Sequence, residues 1–294
     1  MFLAALADPE TVEIVLNADG SLWQERLGEA LHQIGTMTAT AADAAMRTLA
    51  AFYHSILTRE CPSIECELPL DGSRFAGQIS PIVSSPTFAV RKPASRVFTL
   101  QQYVESGIMT PEQRDFLCDA IRDHRNILVS GSVSSGKTTL LNGLIRELTD
   151  QFPNERMIII EDTSELQCVA KDFVQYHTSP ERGMTQLVRM SLRKRPDRIL
   201  VGEVRGEEAL DLLMAWNLGN PGGFATVHSN DANSSLTRIE TLVSMHPRAP
   251  RDIPRLIGEV QPILVHISRT KGGRVVREIV DVRGYGKDGY LCMK

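Results

Sequence analysis

Residues 126–141 read NILVSGSVSSGKTTLL, and this stretch decides the fold around it. An apolar run that suits a buried strand, residues 127–130, leads into a turn rich in glycine and serine. A leucine-rich helical pattern follows directly after the turn. A strand, a glycine-rich turn and a helix in this order form a nest of backbone N–H groups at a helix N-terminus, and such nests bind phosphate. The sequence therefore predicts a phosphate-binding loop.

The loop matches the pattern G-x-x-x-x-G-K-[ST] at every specified position. Lys137 is expected to reach the β- and γ-phosphates of a nucleotide, and the Thr138 hydroxyl is expected to ligate Mg²⁺. ATP and Mg²⁺ are thus the predicted ligands. The residues expected to bind the nucleotide are Gly131, Ser132, Val133, Ser134, Ser135, Gly136, Lys137, Thr138 and Thr139. The motif does not define the reaction, because kinases, switches and motors share it. The base-reading motif N-K-x-D of GTPases does not occur in the chain.

The segment around the loop alternates apolar runs with helical patterns. A helix is predicted over 111–123 and another over 139–148. Near-continuous apolar strands that alternate with helices indicate a parallel sheet covered on both faces. The tail, 265–282, has the signature of a hairpin with a two-glycine turn at 271–274. The predicted strands of this segment are 127–130, 157–161, 199–202, 224–228 and 263–267.

Two carboxylates, Glu161 and Asp162, end the strand 157–161, and Glu165 follows. In a parallel sheet the carboxyl ends of the strands face the ligand crevice. Acids at this edge hold Mg²⁺ through water or orient the attacking water, so Glu161 is a candidate catalytic and metal-binding residue. The alternative is a helix cap, in which Asp162 or Thr163 begins a short helix with Glu165 in its first turn.

A second acidic block, residues 195–205, resembles a Walker B strand except that Gly202 stands where aspartate is usual. Glu203 alone ends the apolar run. We expect Glu203 to position the hydrolytic water or to support Mg²⁺. The alternative is a strand-end glutamate that pairs with Arg205.

The strand 224–228 delivers a lone histidine, His228, at its carboxyl end. A lone histidine is more often structural. Here it is expected at the same sheet edge as the phosphate loop and both acidic blocks. A neutral imidazole at that edge would donate to the γ-phosphate and report its presence.

The first third of the chain has the pattern of a small α/β unit. A strand is predicted over 12–16, followed by a turn at 17–20. A helix is predicted over 40–57, and further strands over 64–70 and 74–92, with turns at 71–72 and 80–81. The helix is indicated by apolar residues at helical spacing, Ala45, Leu49, Phe52 and Ile56. The predicted domains are residues 1–92 and 101–294, joined by a linker over 93–100.

The overall composition argues against several classes of protein. The formal charge of the 294-residue chain is -4, so a surface devoted to nucleic acid is not indicated. The five cysteines are odd in number and scattered, which favours reduced thiols rather than a zinc or disulfide framework. No apolar run approaches the roughly 18 residues that a membrane span needs. Any membrane contact is therefore expected to be peripheral.

In this order the motifs resemble those of the secretion (traffic) ATPase superfamily, in the branch that powers type IV secretion and conjugation. Residues 7–17, with Gly20 and Trp23, resemble the opening of the family's N-terminal domain. Residues 192–206 resemble its glycine-bearing Walker B, which accounts for the missing aspartate. Glu161-Asp162 matches the Asp box, and the segment that ends at His228 matches the His box.

The resemblance implies an α/β protein with a RecA-like P-loop C-terminal domain, mainly a parallel sheet, and a smaller PAS-like α/β N-terminal domain. It implies a homohexamer in the cytoplasm, or peripheral at the inner face of the cytoplasmic membrane. The ring would work with inner-membrane and cytoplasmic components of a secretion or conjugation complex. Nucleotide would lie between the two domains, where Arg74 and Arg91 would reach the phosphates in the manner of an arginine finger.

Two departures from the family and three alternatives remain. Asn220 stands where the His box usually has its first histidine, and the four-cysteine zinc element of the type II secretion branch is missing. A pilus-retraction or type II secretion motor would share the same chemistry. A P-loop small-molecule kinase would use an arginine-rich lid, and a non-hydrolysing scaffold would only bind nucleotide. The arginines that could mimic such a lid are Arg182, Arg189, Arg193, Arg195 and Arg198.

Overall fold

The structure is a computed structural model that describes residues 1–93, 97–179, 181–270 and 272–293. The chain divides into two compact units, Met1–Arg96 and Val97–Lys294. The predicted linker, 93–100, includes residues 94–96, which lie outside the described residues. Its last residue, Leu100, is the first residue of a helix.

The first unit is a six-stranded antiparallel sheet with the strand order β3-β2-β1-β6-β5-β4. The strand and turn predicted over 12–20 are confirmed, and a second strand, β2, returns antiparallel beside β1. The elements of this unit are α1 (Phe2–Ala7), β1 (Thr11–Leu16), β2 (Ser21–Arg26), β3 (His32–Thr36), α2 (Ala39–Phe52), β4 (Ser63–Glu67), β5 (Arg74–Gln78) and β6 (Thr87–Arg91).

Helix α2 differs from the prediction in its end and in its buried face. The helix ends at Phe52, and His54 adopts a left-handed backbone with φ 51°. The buried side chains are Ala42, Met46 and Ala50, while Phe52 is 60% exposed. A β-carbon added at Gly77 would lie 2.5 Å from the sulfur of Met46, so the helix packs very close to the sheet. The small side chains of Ala42 and Ala50 fit this close approach, whereas Leu49 packs only partly against the core and Phe52 lies outside it.

The second unit is an eight-stranded mixed sheet with the order β14-β13-β12-β7-β11-β10-β8-β9. The six strands from β12 to β9 pair in parallel, and β13 and β14 add an antiparallel edge. The mainly parallel sheet and the terminal hairpin are therefore confirmed, although Lys271 of the predicted turn lies outside the described residues. The strands are β7 (Ile127–Gly131), β8 (Met157–Glu161), β9 (Phe173–His177), β10 (Arg198–Val201), β11 (Phe224–His228), β12 (Ile263–Thr270), β13 (Gly273–Gly286) and β14 (Gly289–Met293).

Helices cover both faces of this sheet. Along β8, Ile158 and Ile160 face one apolar core and Met157 and Ile159 face the other, as the alternation of a strand requires. The first core includes side chains of α6 to α9, and the second includes side chains of α3 to α5. The helices are α3 (Leu100–Glu105), α4 (Pro111–Arg122), α5 (Lys137–Gln151), α6 (Met184–Ser191), α7 (Glu208–Asn217), α8 (Ala232–Ser244) and α9 (Ile253–Val260). A 3₁₀ turn, Leu192–Lys194, follows α6.

Candidate active site

The predicted phosphate loop connects β7 to α5. Gly136 is the N-cap of α5 and has φ 101°, a left-handed conformation that favours glycine. A β-carbon added at Gly131 would lie 2.3 Å from the backbone oxygen of Ile267, so that position also requires glycine. The backbone between them turns sharply, with Ser134 at φ 57°. This geometry is that of an N–H nest at a helix N-terminus.

The side chains of the loop divide into exposed and buried groups. Ser132, Val133 and Ser134 are exposed, and Thr138 and Thr139 are half-buried in the first turn of α5. Ser135 is fully buried, and among the described residues its hydroxyl has no hydrogen-bond partner. A buried hydroxyl without a partner costs free energy, and a phosphate oxygen at the loop would supply an acceptor. This feature fits a nucleotide phosphate.

Lys137 lies almost buried at the start of α5, with 7% of its surface exposed. Its Nζ donates to the backbone oxygen of Ser132 at 2.9 Å and lies 3.2 Å from Nδ1 of His228. The predicted lysine and histidine are thus in direct contact, although 91 residues separate them in the chain. The contact follows from the topology, because β11 lies beside β7 with His228 opposite Gly131.

His228 connects the loop to the acid of the next strand. Because an ammonium group can only donate, Nδ1 of His228 accepts from Lys137, and the ring proton lies on Nε2. Nε2 lies 2.7 Å from Oε1 of Glu203. Partial burial lowers the pKa of the His228 imidazole, although the Glu203 carboxylate opposes this. The geometry and the direction of the shift both favour a neutral ring.

Glu203 follows β10, and its two carboxylate oxygens differ. Oε2 accepts from Nη2 of Arg205 at 2.6 Å, as the structural alternative anticipated. Oε1 is buried near His228, but among the described residues no donor is aligned well enough to make a hydrogen bond with it. Arg205 also reaches Asp162, with Nη1 3.0 Å from Oδ2. One oxygen of Glu203 therefore keeps its capacity to accept a proton.

Glu161, at the end of β8, lies in a different environment. It is 2% exposed, and its Oε2 accepts from the backbone N–H groups of Glu165 and Leu166, each at 2.9 Å. Its Oε1 accepts from the side chain of Gln175 and lies 3.4 Å from Nε2 of His177. Burial raises the pKa of this carboxyl group, against the effect of these donors. The short helix that the alternative reading placed after Asp162 does not form; the carboxylate of Glu161 accepts hydrogen bonds from this loop instead.

The glycine in the Walker B position has a steric cause. A β-carbon added at Gly202 would lie 2.9 Å from the β-carbon of Glu161 on the neighbouring strand. The aspartate that is usual at this position would collide with Glu161. In this chain the sheet edge thus has the side chain of Glu161 above Gly202, and Glu203 provides the acid one residue later.

The Mg²⁺ expectation can be tested against the donor groups. In the described parts of the chain no cluster of three or more histidine, cysteine or acidic side chains could hold a metal by itself. Mg²⁺ commonly binds through one or two protein groups, nucleotide phosphates and water, so such a cluster is not required. The Thr138 hydroxyl fits this mode. The oxygens of Glu161 are occupied by N–H donors, so Glu161 does not fit as a direct ligand.

Arg74 and Arg91 lie in the first unit, on the adjacent strands β5 and β6. They are directly opposite each other in the antiparallel ladder. Arg91 is also opposite Glu13 on β1, and its charge counteracts the rise that burial causes in the pKa of Glu13. Among the described residues neither arginine makes an ion pair within 4 Å. Like charges in this position repel, and a bound anion would relieve the repulsion.

The other sequence features lie away from the phosphate loop. Asn220 donates to the backbone oxygen of Pro196 at 2.7 Å, before β11 begins and therefore at the opposite edge of the sheet from His228. Arg189 forms two hydrogen bonds with Asp211. Arg198, fully buried, pairs with Glu155 at 2.6 Å. These two arginines do not form a lid over the phosphates.

Sequence reasoning missed the residues that hold Glu161, at the end of β8, and Asp162, directly after it. Gln175 and His177 lie on β9, the edge strand beside β8, and contact Glu161. Thr178 follows them and donates to Oδ1 of Asp162 at 3.0 Å. No turn or charge pattern in the sequence indicates the strand β9.

The chain matches a family model described as Type II/IV secretion system protein over residues 33–262. It is 44% identical over 286 residues to a probable conjugal transfer protein TrbB of Sinorhizobium fredii (strain NBRC 101917 / NGR234), which covers 97% of this chain and 87% of the relative. The resemblance inferred from the motifs, including its conjugation branch, is therefore confirmed.

Two solved structures have a similar fold. The VirB11 ATPase of the Brucella suis type IV secretion system aligns with a TM-score of 0.54 and 25% identity, over 95% of this chain and 91% of that one. The ATPase DotB of Legionella pneumophila aligns with a TM-score of 0.66 and 19% identity, over 93% and 77%. The α/β architecture with a RecA-like second unit is confirmed. Within the described residues no helix has the length and apolarity needed to cross a membrane.

Proposed function

The chain belongs to the Type II/IV secretion system protein family, and from this premise we propose that it is a hexameric ATPase that powers a type IV secretion or conjugative transfer apparatus. The conjugation branch is favoured because the likeness to TrbB extends over 97% of the chain. The observation that carries the proposal is the contact of three groups at one sheet edge: the loop lysine Lys137, His228 and the strand-end acid Glu203.

The phosphate loop binds the nucleotide. The N–H groups of the loop and of the first turn of α5 hold the phosphates, and Lys137 neutralises the β- and γ-phosphates. Its amine, which contacts Ser132 and His228 in the structure, would exchange these partners for phosphate oxygens. Mg²⁺ would bind through the Thr138 hydroxyl together with the phosphates, and would supply charge neutralisation when bound.

Glu203 prepares the attacking water. Its oxygen without an aligned donor, Oε1, would accept the proton of a water, while Arg205 holds the other oxygen in place. The neutral imidazole of His228 lies beside both Glu203 and Lys137, so it would register whether the γ-phosphate is present. Glu161 orders the loop after β8 and so supports this arrangement without contacting the reacting atoms.

Arg74 and Arg91 are proposed to stabilise the charge that develops on the γ-phosphate. Their support is the arrangement on β5 and β6, where the two like charges lie opposite each other and, in the part of the chain that the structure describes, neither arginine makes an ion pair within 4 Å. Arg74→Ala and Arg91→Ala should each slow turnover while the protein remains folded. Unchanged turnover in both variants would assign the two arginines to the surface of the sheet alone.

The hexamer, its cellular position and its partners complete the proposal. We place the ring in the cytoplasm or at the inner face of the cytoplasmic membrane, where it would dock on inner-membrane and cytoplasmic components of the transfer complex. Nucleic acid is not a proposed ligand, because the chain has a net charge of -4.

The test combines mass with turnover. Light scattering measures the particle mass with and without Mg²⁺ and a non-hydrolysable ATP analogue, and phosphate release measures hydrolysis. A six-subunit particle and slow ATPase activity are expected for the wild type. Lys137→Ala should abolish hydrolysis, because the main phosphate charge partner is removed, while its thermal unfolding stays cooperative.

Three outcomes would contradict the proposal. Normal turnover in Lys137→Ala would remove the site assignment. A monomer that neither binds nor hydrolyses ATP would overturn the motor function and favour a scaffold. A monomer that transfers the γ-phosphate to a small acceptor would favour a kinase.

A further inference from the structure

The hairpin of β12 and β13 contacts the phosphate loop on the side away from the acids. A β-carbon added at Gly136 would lie 2.9 Å from Cδ and 3.1 Å from Nε of Arg274, the second residue of β13. The Arg274 side chain therefore packs directly on the last glycine of the loop. The same hairpin approaches the first glycine, Gly131, through the backbone oxygen of Ile267.

Among the described residues, the charge of Arg274 has no acidic partner. Its side chain is exposed, and among the described residues no carboxylate lies within 4 Å of its nitrogens. Tyr103 of α3 lies nearby, since the Arg274 charge opposes the rise that burial causes in the pKa of the Tyr103 hydroxyl. Arg274 thus presents an uncompensated guanidinium at the rim of a loop built for phosphate.

The strand order indicates which end of a nucleotide Arg274 would meet. β7 lies between β11 and β12. His228 and Glu203, the groups suited to the γ-phosphate, lie on the β11 side of the loop. A nucleotide whose γ-phosphate points to that side directs its α-phosphate and nucleoside to the other side, where β12 and β13 lie. Arg274 would therefore meet the end of the nucleotide that does not react.

We propose that Arg274 is a nucleotide-binding residue that contacts the α-phosphate of the nucleotide held in the phosphate loop. The proposal rests on the proposed ATPase function and deepens it. The planar guanidinium makes charge-assisted, paired hydrogen bonds to phosphate oxygens. Because the α-phosphate is the same in ATP and ADP and keeps its charge during hydrolysis, Arg274 would bind the ground and transition states equally. Its loss should weaken binding and leave the chemical step almost unchanged.

The experiment measures binding and turnover separately in the full chain. Calorimetric titration with Mg-ADP gives the Kd, and phosphate release at varied ATP gives KM and kcat. In Arg274→Ala we expect the Kd for ADP and the KM for ATP to rise together by roughly ten- to a hundredfold, as the loss of a charged hydrogen bond implies. We expect kcat to stay within about twofold, because the lost interaction is made equally in the ground and transition states.

Two further variants refine the test. Arg274→Lys keeps the charge without the fork and should recover part of the affinity. Arg277→Ala removes the same charge from the same strand, but Nε of Arg277 donates to Ser268 at 3.0 Å rather than facing the loop. This matched control should bind ADP as the wild type does. Should Arg274→Ala fail to unfold cooperatively, Arg274→Gln, which keeps the stem over Gly136, takes its place.

The outcomes separate this inference from the ATPase proposal. An active wild type combined with an unchanged Kd and KM in Arg274→Ala would overturn the inference alone. A lower kcat with an unchanged Kd for ADP would also overturn it, because that result places Arg274 at the reacting phosphate. A wild type that binds no Mg-ADP would overturn the ATPase function and this inference together.

Discussion

Glu161 ends β8 and Glu203 follows the neighbouring parallel strand β10, yet their carboxylates lie in contrasting surroundings. The side chain of Glu161 is 3% exposed, and backbone and side-chain N–H groups occupy both of its oxygens. The side chain of Glu203 is 16% exposed, and only one of its oxygens has a well-aligned partner among the described residues, Arg205.

The difference separates two uses of a strand-end acid. The carboxylate of Glu161 accepts hydrogen bonds from N–H groups of a loop, and without it these groups would lack partners. Its role is therefore to stabilise the loop. The carboxylate of Glu203 is held by Arg205 and faces His228, so it is fixed in place but still able to accept a proton. An acid that is saturated by donors is a poor base, whereas one with an available oxygen is a good candidate.

The largest effect is expected from Glu203→Gln. The amide keeps the shape and one acceptor but cannot take a proton from water. General base catalysis contributes about 10²–10⁴-fold to rate, so kcat should fall by roughly that factor while ATP still binds. Phosphate release and calorimetric titration with a non-hydrolysable ATP analogue measure the two quantities.

A matched acid in the same loop controls for charge. Glu207 is exposed and is the N-cap residue of α7, directly before Glu208, and Glu207→Gln removes the same charge. Its kcat should equal that of the wild type. If the two glutamine variants hydrolysed ATP equally fast, Glu203 would lose its role as base and the contrast with Glu161 would disappear.

Glu161→Ala should mainly lower the stability of the protein, in contrast to Glu203→Gln, which should mainly lower kcat. The variant leaves the N–H groups of Glu165 and Leu166 without their acceptor, at a cost of about 1–3 kcal/mol for the buried N–H of Leu166 and less for the half-buried one of Glu165. For a unit of this size each kcal/mol lowers Tm by about 2–4 °C. Differential scanning calorimetry should therefore find a clearly lower Tm for Glu161→Ala than for Glu203→Ala. Equal Tm values would mean that the loop finds other acceptors.

Gly202→Ala tests the steric relation between the two strands. The new methyl group would lie 2.9 Å from the β-carbon of Glu161, and overpacking of this kind costs about 1–3 kcal/mol. In a Glu161→Gly background the collision partner is removed, so the same substitution should cost much less. Urea unfolding of the wild type, the two single variants and the double variant gives the coupling free energy. A coupling near zero would show that something other than Glu161 excludes a side chain at position 202.

Much of the fold could be predicted because its strands are apolar along their whole length. Ile127 to Val129 and Met157 to Ile160 are buried on both faces of the sheet, and such runs leave a clear signal. The edge strand β9 could not be predicted, because its residues are mostly half-exposed and do not alternate between buried and exposed. The spacing of apolar residues predicted the wrong buried face for α2. Met46 packs against Gly77, and this close approach cannot be inferred from helical spacing alone.

The part of the candidate site that lies at the ends of the apolar strands could be predicted in the same way. Because the carboxyl ends of parallel strands meet at one edge of a sheet, Lys137, His228 and Glu203 were expected at the same edge. The structure places them in contact. The saturation of Glu161 was not predictable, since its side-chain partners come from β9, the strand that the sequence pattern did not reveal. Arg274 lies 137 residues after Lys137, and nothing in its own neighbourhood of the sequence marks it as part of the phosphate loop.

The smallest expected effect is a change in the acid limb of the rate profile, which depends on His228. Partial burial lowers the pKa of His228 below its usual 6.5, with the Lys137 charge acting in the same direction. The neutral ring, which accepts from Lys137, therefore persists below pH 6.5 and is lost only as the pH falls through the lowered pKa. Because kcat/KM reports the free enzyme, in which His228 contacts Lys137, the kcat/KM of the wild type should hold through pH 6.5 and decline below it. His228→Gln cannot titrate, so its weaker activity should lack that decline. A wild-type limb centred above pH 6.5, or an identical limb in His228→Gln, would mean that another group controls the reaction and that His228 is not the neutral partner of Glu203.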